Sequence, residues 1–331
     1  MKRGLGLVIA VVLALTAPAT AQTLAKPLPP ISVRGSVPIW NVQAPVLVAK
    51  AKGFFDEVGL RQVDWKVGGL DVETLRGLAA GGFDIQINAT SGTALRAIAQ
   101  GAPIKIIAGF AQQARYSIFV KQSMTAADLK GKTIAVSAPG SLPDLVARAL
   151  FTQLNLAPSD IRTASLGSDL DRFKALLSGV VDAAIVTEEL MAVAPKDVRL
   201  MAAGRDALPN YVRLCLTMSG KTIAQKRDLA VRFLAAEIEA LRYAFTHRDE
   251  TIALTREIID SKPDDPRAAY VYDTVVKHHD VDPEIAIPMD KLDWMQNDLV
   301  KTGNLDRPGD LGRIVDTSLR AEALKLAGNS H

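Results

Sequence analysis

The stretch Leu75-Arg76-Gly77-Leu78-Ala79-Ala80-Gly81-Gly82-Phe83-Asp84-Ile85-Gln86-Ile87, opening into Asn88-Ala89-Thr90-Ser91-Gly92, decides the fold, because the chain carries a second version of it. That version is Phe173-Lys174-Ala175-Leu176-Leu177-Ser178-Gly179-Val180-Val181-Asp182-Ala183-Ala184-Ile185-Val186, opening into Thr187-Glu188-Glu189. Each reads as a helix stopped by glycine, a turn ending in aspartate, a short apolar strand and a polar loop at the carboxyl end of the strand. Glycine just past a helix takes the left-handed conformation at low cost, so Gly81 and Gly179 are predicted stops. The runs Phe83 to Ile87 and Val180 to Val186 are too short and too rich in branched residues for helices, and their continuous apolarity suits a sheet covered on both faces. Two such units predict two α/β halves, with ligand contacts in the loops at the strand ends. Asp84 and Asp182 read as structural turn residues.

At 331 residues the chain has room for roughly two domains. Hydrophobic residues make up 48% and charged residues 23%, the balance of a globular protein. The net charge of +3 is spread without a basic run, which gives no reason to propose nucleic acid as a partner. Met1-Lys2-Arg3, the apolar stretch Gly4 to Ala17 and the small residues Ala19-Thr20-Ala21 have the order of a secretory signal peptide cut after Ala21. The apolar run is short for a membrane anchor. The mature chain is expected to be exported and soluble, starting with an extended, proline-bearing leader over residues 22–30. The single cysteine, Cys215, cannot form an internal disulfide and reads as a small core residue. The four histidines have no metal-ligand spacing, and no metal or cofactor is expected.

Along the chain, Ile31 to Val37 alternates as a first strand and Val46 to Lys52 reads as a helix. Gln62 to Val67 reads as a strand, and Asp71 as the N-cap of a helix over Val72 to Ala80. Strands are also expected at Ile104 to Gly109, Tyr116 to Val120, Thr133 to Val136, Thr163 to Leu166 and Tyr211 to Thr217. Helices are expected at Met124 to Leu129, Leu145 to Leu154 and Leu170 to Leu177. From Lys221 onward the pattern is amphipathic helix: Arg227 to Thr246, Glu250 to Ile259, Pro266 to Lys277, Met289 to Thr302 and Arg313 to Ala327.

Several segments then fall in one order: Ala49-Lys50-Ala51-Lys52-Gly53-Phe54-Phe55, Gly59-Leu60, Gly68-Gly69, Ala80-Gly81-Gly82-Phe83-Asp84 and Ala94-Leu95-Arg96-Ala97-Ile98-Ala99-Gln100-Gly101-Ala102-Pro103-Ile104. They continue as Leu129-Lys130-Gly131-Lys132-Thr133-Ile134-Ala135-Val136, Pro139-Gly140-Ser141 and Gly179-Val180-Val181-Asp182-Ala183-Ala184. This ordered set resembles the solute-binding proteins of ABC transporters in the nitrate, sulfonate, taurine and thiamine-precursor group (NMT1-like, SsuA/TauA-like). The resemblance covers nearly the whole mature chain and weakens after about Asp249. It implies an α/β, two-lobed type II periplasmic binding fold with two crossings between lobes and a helical C-terminal region. The expected division is 31–113 with 215–331 in the first lobe and 114–214 in the second. The implied function is periplasmic capture of a small organic ligand (sulfonate, carboxylate or pyrimidine-like) by a monomer that presents it to an inner-membrane permease. The alternatives are an enzyme like the related pyrimidine synthase, whose clustered cysteines and histidine this sequence lacks, and a binding protein that feeds a sensor.

The candidate ligand contacts are Trp40, Asn41, Gln43, Thr90, Ser91, Gln112, Ser137, Gly140, Ser141, Ser168, Thr187 and Glu188. Trp40 reads equally as a stacking surface flanked by two amides and as a structural tryptophan. Ser141 and Ser168 read as N-caps and, with Ser91, as helix N-termini suited to an anion. Pro143 stands where the family often has a hydroxyl. Glu188 reads either as a cleft carboxylate that favours an amine or as a solvated rim residue, and Arg115 as a partner for an anion or a surface arginine. Tyr211 lies at the expected return crossing, with no reading of whether it reaches the cleft.

Overall fold

The computed structural model describes residues 28–35, 44–68, 71–258 and 261–328. The signal peptide and the candidates Trp40, Asn41 and Gln43 lie outside the described residues. The chain opens with β1 (Ile31–Gly35), α1 (Ala44–Lys52), α2 (Phe54–Glu57), β2 (Val63–Val67), α3 (Asp71–Ala79), β3 (Ile85–Thr90), α4 (Ser91–Ala99) and β4 (Ile104–Gly109). It crosses to β5 (Tyr116–Lys121), β6 (Thr133–Val136), α5 (Leu142–Gln153), β7 (Arg162–Ser165), α6 (Asp169–Leu177), β8 (Ala183–Thr187), a 3₁₀ turn (Glu188–Val193), β9 (Val198–Ala203) and α7 (Gly204–Ala207). It returns through β10 (Leu214–Ser219) and ends in α8 (Gly220–Thr246), α9 (Arg248–Ile258), α10 (Arg267–His278), α11 (Met289–Lys301), α12 (Leu311–Ile314) and α13 (Thr317–Gly328).

Two five-stranded sheets result, ordered β2-β1-β3-β10-β4 and β7-β6-β8-β5-β9. The order is the same strand by strand. In each sheet three parallel strands are followed by an antiparallel one that enters from the other lobe, and then by the last strand before a crossing. The crossings run side by side: the Ala111 carbonyl accepts the amides of Arg213 at 2.9 Å and Leu214 at 3.1 Å.

The repeated stretch behaves alike in both lobes. Gly81 and Gly179 have φ of 80° and 76°. Each ends its helix with a paired closure: Gly82 N bonds Gly77 O at 2.9 Å and Gly81 N bonds Leu78 O at 3.0 Å, while Val180 N bonds Ala175 O at 2.9 Å and Gly179 N bonds Leu176 O at 3.2 Å. The aspartates then stitch the strand to its neighbour. Asp84 Oδ2 accepts the Ser32 amide at 2.8 Å, and Asp182 Oδ2 accepts the Thr133 amide at 2.9 Å. Asp84 also binds Lys226 Nζ at 2.8 Å, at the point where α8 departs from helical geometry (Lys226 φ −131°, ψ 31°).

The differences from expectation have local causes. The expected polar loop at Asn88 to Gly92 does not exist: β3 runs through Thr90 and α4 starts at Ser91, whose amide bonds Arg213 O on the return crossing at 3.1 Å. Helix α5 starts three residues early because Ser141 caps it and proline is tolerated at the second helical position. The helix expected at Met124 to Leu129 shrinks to a 3₁₀ turn at Ala127–Leu129. Helix α8 starts at Gly220, capped by Ser219, and its kink falls just before the expected start at Arg227. The last helix divides in two, α12 and α13. The long helix α8 packs on α1 and α13, while α10 packs on the 3₁₀ turn after β8, so the helical region touches both lobes. Among the described residues, no helix is long and apolar enough to cross a membrane.

Candidate functional site

Between the lobes lies a cavity of about 220 Å³. The first lobe lines it with Asp71 at the start of α3, Thr90 at the end of β3, and Gly92, Thr93 and Arg96 on the first turns of α4. The second lobe supplies Gly140, Ser141, Leu142 and Leu145 at the start of α5. Tyr211 from the return crossing and Leu299 and Asn304 from the helical region complete the wall. Two helix N-termini from different lobes therefore face one space, and each brings the positive end of a helix dipole to it.

The charges in this space are unequal in how far they are satisfied. Asp71 accepts Gln86 Nε2 at 2.9 Å and the Thr90 amide at 3.2 Å, which ties α3 to the end of β3. Burial pushes its carboxyl above the ordinary value, against the pull of hydrogen bonds from Thr90, Thr93 and Gln86. Arg96 makes no side-chain hydrogen bond or ion pair with any described residue. Burial also raises the Tyr211 hydroxyl, so it stays protonated as a donor. The open face of Gly92 matters here, since a Cβ there would meet Tyr211 Oη at 3.4 Å.

Of the sequence candidates, Thr90, Gly140 and Ser141 line the cavity. Ser141 is also the N-cap of α5: its Oγ accepts the Asp144 amide at 3.4 Å and donates to Ala138 O at 2.6 Å, while Ser137 Oγ donates to it at 2.7 Å. The Gly140 amide is taken by Asp144 Oδ2 at 2.9 Å. Ser137 thus acts here through Ser141. Ser168 is exposed, caps α6 by accepting the Asp171 amide at 3.2 Å, and lies outside the cavity wall. Ser91 is fully buried with its hydroxyl beside the Cys215 thiol, and Thr187 is buried with its amide on Asp169 Oδ1 at 3.3 Å. The Gln112 amide bonds Asp280 O at 2.8 Å, which places it on the first crossing.

The structure overturns the exposed readings of Glu188 and Arg115. Glu188 is buried rather than solvated, and its carboxylate is occupied: Oε1 accepts Ser117 Oγ at 2.8 Å and Oε2 accepts Arg205 Nη2. Burial raises its carboxyl above the ordinary value, and Arg205 and Arg115 pull the other way. Arg115 is 1% exposed and lies 3.7 Å from Asp280, so it is not a surface arginine.

Asp71, Thr93, Arg96, Leu299 and Asn304 were not among the candidates. Arg96 was legible in principle, because it lies one turn from Gly92 and Thr93 on α4 and so shares their face. Nothing local marks Leu299 or Asn304, which reach the cavity from the far end of the chain. Cys215 is buried in β10 with its thiol pushed up to about 12 by burial, far from the range in which a thiolate attacks. Among the described residues, no group of three or more His, Cys, Asp or Glu side chains is placed to hold a metal ion.

Two α/β lobes of matching topology, two crossings and a cavity between them define a periplasmic-binding-protein fold. Structural comparison agrees: the aliphatic sulphonate binding protein SsuA of Escherichia coli superposes with a TM-score of 0.71 at 17% identity, over 87% of this chain and 92% of that one. The periplasmic sulfonate-binding protein SsuA of Methylobacillus flagellatus gives 0.71 at 15% identity, over 92% and 96%. The alkanesulfonate-binding protein SsuA of Xanthomonas axonopodis pv. citri, bound to MOPS, gives 0.64 at 19% identity, over 90% and 99%. No curated protein sequence matches the chain. The family model described as NMT1/THI5 like matches residues 40–251, and the chain belongs to that family.

Proposed function

We propose that the protein is the solute-binding component of an ABC importer that captures a small organic ligand between its lobes and presents it to a permease. The observation that carries this reading is the cavity itself, lined from both lobes and holding an arginine without a partner among the described residues. Arg96 and two helix N-termini favour an anionic head, sulfonate or carboxylate, over a pyrimidine. Asp71, already bonded by Gln86 and Thr90, is left to position the strand end or to accept a donor on the ligand. Closure follows from population shift: a ligand that touches both walls stabilises the arrangement in which both are near. The lobes comprise 31–113 with 215–331, and 114–214. Export by the signal peptide places a soluble monomer in the periplasm, where it binds without chemical conversion of the ligand.

A thermal-shift screen over sulfonates, carboxylates, amines and pyrimidines tests the reading, since a ligand specific for the folded state raises the melting point by mass action. A sulfonate or carboxylate is expected to give the largest shift, and Arg96→Ala to reduce it. A shift with amines alone would transfer recognition to Asp71, and release of a converted product would end the binding-protein reading.

A further inference from the structure

Three buried charges, Arg115, Glu188 and Asp280, meet the partly buried Arg205 at the hinge, and none of the four lines the cavity. Arg115 closes the first crossing, and its carbonyl accepts the Glu188 amide at 3.2 Å, so it moves with the second lobe. Glu188 and Arg205, which are bonded to each other, belong to the 3₁₀ turn and to α7 of that lobe. Asp280 alone comes from the C-terminal region, where it follows α10. Its carboxylate is 0% exposed and lies 3.7 Å from Arg115 Nη1 and 3.9 Å from Arg205 Nε.

The backbone around Asp280 forms a third segment beside the two crossings. Asp280 O accepts the Gln112 amide at 2.8 Å, His278 O accepts Gln113 Nε2 at 2.9 Å, and Ile285 O accepts the Gly109 amide at 3.1 Å. Ala111 and Val281 form an antiparallel bridge. The approach is close enough to require glycine, because a Cβ at Gly109 would stand 2.1 Å from Ala286 O. This noncovalent segment runs along the hinge and offers one carboxylate to two arginines of the opposite lobe.

The side-chain contacts are of an unusual length. Both Asp280 oxygens, both terminal nitrogens of Arg115 and Nε of Arg205 are buried without a hydrogen bond to any described residue. Charges this deep attract strongly, yet each pair stands roughly 1 Å beyond the length of a charge-assisted bond. A small rotation of the lobes therefore either completes these bonds or breaks the contact. We propose that Arg115, Glu188, Arg205 and Asp280 form a clasp that tethers the C-terminal segment to the second lobe and sets the balance between open and closed lobes. The clasp rests on the two-lobed fold and requires no particular ligand.

The test is made on ligand-free protein, so its failure and the failure of the transport reading are separate results. Nitroxide labels at Gln100→Cys and Val180→Cys, the latter position 71% exposed, report the distance between lobes. Asp280→Asn keeps the shape and removes the charge. It is expected to widen the distance distribution about twofold and to speed exchange of the Gln112 amide roughly tenfold, as a loosened local unit should. A folded Asp280→Asn protein with unchanged distances and exchange would overturn the proposal. If that variant does not fold, Arg205→Gln, at a less buried position, is read by the same criteria. If neither folds, the wild-type protein decides: the Gln112 and Glu188 amides should exchange as slowly as those of β5, and exchange at the rate of exposed loops would refute the clasp.

Discussion

In the first lobe β3 passes through Thr90 straight into α4, and the start of that helix faces the cavity with Arg96 one turn along. In the second lobe β8 stops at Thr187, and the chain enters a 3₁₀ turn whose leading Glu188 is held by Ser117 and Arg205. The strand orders match, as do the glycine stops and aspartate stitches, so the divergence is confined to the strand ends. One end opens onto the cavity, while the other is held by Ser117 and Arg205. The second lobe makes its contribution to the cavity from α5 instead. A shared plan therefore does not carry a shared use of equivalent positions, because partners from distant sequence decide which end is closed.

The sharpest contrast is between two buried carboxyls. Glu188 has cations to offset its burial, whereas burial alone acts on Glu237 in α8 and pushes it up to about 8. A carboxyl raised in the folded state keeps a proton that the unfolded chain releases. Its stability contribution is thus fully present below the unfolded value near 4.5 and is lost as pH rises towards 8. Glu237→Gln should remove that slope and recover about 3 kcal/mol at pH 7, read from urea melts across pH. Arg96→Ala should weaken binding of a sulfonate or carboxylate by roughly thirtyfold, about 2 kcal/mol, in titration calorimetry with little change in melting point.

The aspartate stitches give a direct test of equivalence. Asp84 has an 8% exposed side chain and three partners, Ser32 amide, Ser32 hydroxyl and Lys226, whereas Asp182 is 34% exposed. Asp182 has the more exposed Lys132 at 3.4 Å, so Asp84→Ala should cost about 2 kcal/mol in denaturant melts and Asp182→Ala about 1 kcal/mol, and equal losses would mean that Lys226 adds no more than Lys132 does. Last, Thr90→Ala should lower ligand affinity roughly threefold, while Thr187→Ala should leave affinity alone and slightly lower stability. The reverse result would place the ligand at the second lobe's strand end.

The pattern of what was legible follows from range. Gly81, Gly179, Asp84 and Asp182 act within a few residues or on the adjacent strand, and their types alone announce a helix stop and a turn. Ser141 and Ser168 announce caps for the same reason. The fate of Glu188 was not legible, since its carboxylate is held by Arg205 and Ser117 arriving from two other elements. The missing loop after β3 has a similar cause, because the amide of Ser91 is held by the return crossing rather than by anything near it. Leu299 and Asn304 carry no mark in sequence of the cavity they line.

Cys215 lies in β10, paired with Ala89 of β3 on one side and Gly109 of β4 on the other. With its thiol pushed up to about 12, only about one molecule in ten thousand would hold a thiolate at pH 8, even before burial blocks a reagent. Alkylation must then wait until the middle of the first sheet comes apart, and an opening confined to the second lobe leaves the sulfur untouched. The lone thiol is in effect a fuse wired to one lobe: its rate of capture by a maleimide clocks the failure of the first sheet separately from that of its twin.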